Sequence, residues 1–134
     1  MRMTFLLAIL IVGAALFVVV KTARAGEIER ISAQEAHRRV ASGEAVLIDV
    51  READEWKEGV AAPALLLALS DLNGTRATWK APLAENKDKE LILYCRSGNR
   101  SGKAAAVLAK EGYKVTNAGA FASWQEAGLP VKQP

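Results

Sequence analysis

The 134-residue chain is 51% hydrophobic, has a formal charge of +3 and holds one cysteine and one histidine. Arg2, Lys21 and Arg24 account for the whole excess, and the other 15 of the 18 basic side chains balance the 15 acidic ones, which excludes a general electrostatic attraction to nucleic acid. A lone cysteine also excludes an internal disulfide and a C-x-x-C redox pair, so Cys95 reacts with something external or with nothing.

Behind Arg2, Phe5 to Val20 is an unbroken apolar run, and Ala23, Arg24 and Ala25 follow with A-x-A spacing. This is the pattern of a secretory signal peptide over residues 1–25, whose cleavage leaves residues 26–134 as a single domain with one core. The expected location is then outside the cytosol, in the periplasm. The competing expectation is an uncleaved membrane anchor over residues 5–20, because the run falls only a little short of the roughly 18 apolar residues that suggest a spanning helix.

Ser32 and Glu35 have capping-box spacing, and Ala36 and Val40 continue an apolar face up to Gly43, which predicts a helix. Ala45 to Val50 is a nearly continuous apolar run, the pattern of a strand buried on both faces of a parallel sheet, with Asp49 at its carboxyl end. Glu52 to Glu58 reads as a short charged helix closed by Gly59, with Trp56 on its buried side. Ala64 to Leu72 suits either a strand or a helix. Thr75 to Leu83 is a weaker helical stretch and Asn86 to Lys89 a polar loop.

Leu91 to Tyr94 is the second strand. Ser101 to Glu111 is a helix of good formers ended by Gly112, Tyr113 to Thr116 is a short strand, and Phe121 to Glu126 is a last helix stopped by Gly128 and Pro130. Strands alternating with helices predict an α/β domain with a mainly parallel central sheet and helices on both faces. In such sheets ligands bind beyond the carboxyl ends of the strands, where Cys95 lies.

The stretch from Cys95 to Ser101 carries the chemistry. An ordinary thiol, with a pKa near 8.5, is mostly protonated at neutral pH, but a helix N-terminus and nearby cations lower it by several units. Unpaired amides at the start of the following helix present partial positive charge. Gly98 lets the backbone curl so that successive N–H groups converge, Asn99 tolerates a left-handed backbone, and Arg96 and Arg100 add planar, multi-donor cations. The bland alternative, a small buried cysteine at a strand end, leaves these neighbours without a purpose.

Residues 28 to 131 resemble a single-domain rhodanese of the exported type, and Cys95-Arg96-Ser97-Gly98-Asn99-Arg100-Ser101 is similar to that family's active-site loop. Asp49, Val50 and Arg51 resemble its DVR strand end, with Glu55 and Trp56 at its usual acidic and aromatic positions. Gly119, Phe121, Trp124, Gly128, Leu129 and Pro130 resemble its closing segment. The family's usual Gly-His-Ile is replaced by Gly59, Val60 and Ala61, and Ala120 stands for the second glycine of GGF.

The resemblance implies sulfur transfer from a donor such as thiosulfate to cyanide or a thiol through a Cys95 persulfide. Arg96, Ser97, Gly98, Asn99, Arg100 and Ser101 would receive the donor, Arg96 and Arg100 taking its sulfonate end. Asp49 and Arg51 would brace the loop as an ion pair, and neither a metal nor an organic cofactor is required. The partners implied are a small anionic donor and a thiol or cyanide acceptor, with a protein acceptor as a further option.

Two rivals use the same loop. In the related phosphatases and arsenate reductases five residues separate Cys from a phosphate-binding Arg, whereas here Ser101 takes that place and Arg100 comes one position early. A non-enzymatic module that carries or binds persulfide shares every loop residue. His37, the only histidine, is expected on the solvent side of the first helix, and Trp56, Trp79 and Trp124 are expected in the core.

Overall fold

The structure, a computed structural model, describes residues 27–134. The apolar leader and the expected cleavage site lie outside the described residues. No helix among the described residues is long and apolar enough to cross a membrane.

In chain order the elements are β1 (Glu29–Arg30), α1 (Ala33–Ala41), β2 (Ala45–Asp49), α2 (Ala53–Trp56), β3 (Val60–Ala61), β4 (Leu65–Leu66), α3 (Leu69–Leu72), α4 (Lys80–Glu85), β5 (Glu90–Cys95), α5 (Asn99–Lys110), β6 (Val115–Ala120), α6 (Phe121–Glu126) and β7 (Val131–Lys132). Five strands form one parallel sheet in the order β1-β6-β5-β2-β4, and β3 pairs antiparallel with β7. The strand that ends on Cys95 is therefore central, hydrogen-bonded to β2 on one side and β6 on the other.

Alternation along the central strands builds two cores. Ile48, Val50, Leu91, Leu93 and Cys95 face one way and pack with Leu72, Trp79, Leu83, Ala104 and Leu108, from the side of α3, α4 and α5. Ala45, Leu47, Ile92 and Tyr94 face the other way and pack with Ala36, Phe121 and Trp124, from α1 and α6. A strand buried on both faces reads as a continuous apolar run, which is why β2 and β5 are plain in the sequence.

Five expectations are corrected. Ala64 to Leu72 is both a strand and a helix, β4 followed by α3. The helix expected from Thr75 starts only at Lys80, because the Asp71 carboxylate draws the intervening chain around itself, accepting from Thr75 Oγ1 at 3.1 Å and Thr78 N at 2.9 Å. The strand expected to stop at Thr116 runs on to Ala120, since pairing with β5 outweighs the weak strand propensity of Asn117 and Gly119. His37 is half-buried rather than turned to solvent, its ring edge set against Trp124 at 5.6 Å between centroids. Trp79 and Trp124 are core, donating from Nε1 to Ala68 O (2.9 Å) and Pro130 O (2.8 Å), while Trp56 is only half-buried.

At the carboxyl end of β2, the fully buried Asp49 accepts from Arg51 Nη2 at Oδ2 (2.8 Å), from Arg51 Nε shared between Oδ1 and Oδ2 (3.1 Å each) and from the Arg51 amide at Oδ1 (2.9 Å). Arg51 also donates to Gly59 O at 2.8 Å and stacks over Phe121 at 4.4 Å, tying the end of β2 to the start of α6. Burial, and then the Asp49 charge, push the neighbouring Tyr94 phenol well above its usual range, so it stays protonated while accepting from Ala61 N at 3.0 Å. Removing one partner of a buried pair strands the other's charge. Asp49→Ala should therefore lower the unfolding free energy by about 3–5 kcal/mol in urea titrations. A loss under about 1 kcal/mol, the range of an exposed pair, would show that Arg51 finds other partners.

Candidate active site

Cys95 is the last residue of β5, Arg96 to Gly98 make the turn, and α5 begins at Asn99, two residues before the expected start. Because Cys95 shares the face of Leu91 and Leu93, its sulfur points under α5 and its side chain has no exposed surface (0%). Three donors converge on Sγ: Gly98 N at 3.0 Å, Ser101 N at 3.4 Å and Ser101 Oγ at 3.4 Å.

The curl depends on Gly98. Its φ of +93° is a left-handed conformation that side chains disfavour. A Cβ there would come 2.6 Å from Arg30 Nη2 and 3.1 Å from the Gly119 backbone. β1 and β6 thus press on the turn from behind.

Asn117 on β6, 4% exposed, holds the turn from below. Its Nδ2 donates to Gly98 O at 2.9 Å, and its Oδ1 accepts from Ser101 Oγ at 2.8 Å and Gly119 N at 2.9 Å. The amide can stand only this way round, since the reverse sets a donor against the Gly119 N–H. The Ser101 hydroxyl has one proton and two acceptors in reach, Asn117 Oδ1 and Cys95 Sγ. With a neutral thiol the shorter bond to Asn117 holds it; a thiolate, as a charged acceptor, draws it to sulfur.

Burial alone pushes the Cys95 thiol up, but the Ser101 hydroxyl and the amides of Ser101, Ser97 and Gly98 outweigh it, and the thiol lies below its ordinary value. The loop amides and one hydroxyl, rather than the two arginines, are the main causes of that shift.

Arg100 turns away from the sulfur. Its Nη1 and Nη2 grip Glu55 of α2 at 2.6 and 2.8 Å, and Arg100 in turn holds the Glu55 carboxyl down at about 2. Glu55 also accepts from the Glu52 amide (3.3 Å), and Glu52 from Ser70 N (3.2 Å) and Oγ (2.8 Å), so α2, α3 and α5 share one polar seam. Arg96, Ser97 and Asn99 are exposed, and Arg96 forms no ion pair among the described residues. The loop residues read from the sequence therefore divide: Ser97, Gly98 and Ser101 address the sulfur, Arg100 braces α2, and Arg96 and Asn99 face solvent. Sequence reasoning missed Asn117 and Arg30; a polar residue inside a strand was the only signal for the first. Among the described residues no three His, Cys, Asp or Glu side chains are grouped to hold a metal ion.

The family model described as a rhodanese-like domain matches residues 32–127. A sulfurtransferase from Allochromatium vinosum is 34% identical over 110 residues, covering 80% of this chain and 97% of the relative. The human single-domain sulfurtransferase TSTD1 superposes with a TM-score of 0.62 at 29% identity, covering 75% of this chain and 97% of its own. A Rhodopseudomonas palustris protein of unknown function, described as a possible tyrosine phosphatase, superposes with a TM-score of 0.66 at 26% identity, covering 78% and 85%.

The lowered thiol has a pH signature. Thiolate stabilisation contributes fully above the ordinary thiol pKa and is lost as pH falls through the lowered one, so alkylation by iodoacetamide should show a midpoint below about 8.5. Ser101→Ala removes one donor to the anion and should move that midpoint up. An unmoved midpoint would take the hydroxyl out of the account.

Proposed function

The chain belongs to the rhodanese-like family, and on that premise we propose that it is a sulfurtransferase that moves sulfane sulfur from a donor such as thiosulfate to a thiol or cyanide through a persulfide on Cys95. The observation that carries this reading is the convergence of the Gly98 and Ser101 amides and the Ser101 hydroxyl on one sulfur.

In the first step the Cys95 thiolate attacks the outer sulfur of thiosulfate. An S–S bond to Sγ forms, the bond to the sulfonate sulfur breaks, and its electron pair leaves on sulfite. In the second step the acceptor attacks the outer persulfide sulfur, and the pair of the broken S–S bond returns to Sγ as thiolate. Negative charge stays at the loop in both halves, so preorganised donors stabilise each state without proton transfer. Because Cys95 is fully buried, attack requires the groups that cover the sulfur to move aside.

Phosphate chemistry fits less well. The loop is one residue short of a clamp for phosphate, and the one arginine near the right place is gripped by Glu55. A persulfide-carrier role, in which the Cys95 persulfide is handed to a partner protein, shares the same loop. An exported or membrane-anchored location remains part of the reading, on the strength of the apolar run from Phe5 to Val20.

Mass spectrometry of the purified protein after thiosulfate should find one added sulfur on Cys95, and Cys95→Ser should neither gain it nor turn over thiosulfate with cyanide or a thiol. No added sulfur from any donor would overturn the proposal. Sulfur accepted only from a protein persulfide would assign the carrier role instead.

A further inference from the structure

Two cavities flank the Cys95 loop, and their charge differs. One, of about 370 Å³, has Arg96 and Arg51 on its wall but also Asp54, Glu55 and Glu58. Arg51 is neutralised there by Asp49 and Glu55 by Arg100, so a small dianion entering on this side meets Arg96 together with the carboxylates of Asp54 and Glu58. The other, of about 540 Å³, is lined by Arg30, Ser97, Gly98, Asn99, Lys103 and Asn117 among others, with no carboxylate. Neither Arg30 nor Lys103 forms an ion pair among the described residues. The Arg30 guanidinium lies directly on the turn, 2.6 Å from where a Gly98 Cβ would stand.

We propose that Arg30, supported by Lys103, is the specificity-determining cation that draws an anionic sulfur donor to the Cys95 loop, a role that rests on the sulfurtransferase reading. Arg30 lies in β1, before the segment matched by the family model. Arg100, the loop arginine expected for this task, has both terminal nitrogens on Glu55. The cavity beside Arg30 also reaches Ser97, whose amide is among the donors to the sulfur. Recognition is by charge, so it favours thiosulfate over neutral sulfane donors and weakens as salt screens the exposed guanidinium.

The test compares alkylation of Cys95 by iodoacetate and iodoacetamide, two reagents of similar size that differ by one negative charge. Both need the same thiolate, so the ratio of their rates cancels any change in thiol pKa. At low salt Arg30→Gln should cut the iodoacetate-to-iodoacetamide ratio by about 3- to 10-fold, as expected for one charge within several ångström of the reacting atoms. Lys103→Gln should cut it less, Arg30→Lys should largely restore it, and about 1 M salt should erase the difference. For the dianion thiosulfate, kcat/KM should fall further than the ratio does. An unchanged ratio in Arg30→Gln, or a larger fall in Arg96→Gln, would overturn the proposal. Wild-type protein that never accepts sulfur from any donor would defeat the sulfurtransferase reading while the alkylation ratio still reports on Arg30.

Discussion

A sulfur atom shut away from water can hold negative charge only if the groups that replace the solvent around it are hydrogen-bond donors, and the turn between β5 and α5 meets that requirement. The Gly98 amide, the Ser101 amide and the Ser101 hydroxyl all lie within hydrogen-bonding distance of Cys95 Sγ. Much of the fold serves to hold them there. Pairing on both edges keeps β5 central, alternation turns the sulfur under α5, and Gly98 supplies the one backbone conformation that brings the chain back over it. Asn117 then locks the turn by satisfying the Gly98 carbonyl and the Ser101 hydroxyl with opposite ends of one amide.

Around this centre the charged side chains fall into two groups. Asp49 with Arg51, and Glu55 with Arg100, are internal pairs that tie neighbouring elements together. Their charges cancel at short range, so they shape the site without attracting an anion to it. What remains beside the loop is Arg96 on one side and Arg30 with Lys103 on the other. In a domain whose basic and acidic side chains balance, selectivity for an anion can come only from such a local surplus.

The parts legible in the sequence are those whose causes are local. Ser32 accepts from Glu35 N at 3.1 Å as its spacing predicts, the runs of β2 and β5 betray burial on both faces, and the Cys95 to Ser101 loop is contiguous. Where the determining contact is distant, the sequence is silent. Asn117 and Arg30 reach the loop because β6 lies next to β5 and β1 next to β6 in the sheet, and strand order is not written in the residues of any one strand. The two-residue strands β1, β3, β4 and β7 are too short to show any period. The pairing of Arg100 with Glu55 spans 45 residues; both were prominent in the sequence, but for separate reasons.

The same contacts explain why the shorter loop suits sulfur better than phosphate. A phosphatase loop aims its amides at oxygens held above the nucleophile and needs an arginine to close over them. Here two amides of the loop and the hydroxyl at the place of that arginine are already directed at the sulfur itself. Ser101 is buried against Asn117, so its hydroxyl cannot leave the sulfur's vicinity to follow a larger anion. Such a cradle stabilises the attacking thiolate before it acquires a second sulfur and again after it gives that sulfur up, which is the demand of sulfur relay. It offers little to a tetrahedral oxyanion, whose charge develops farther out.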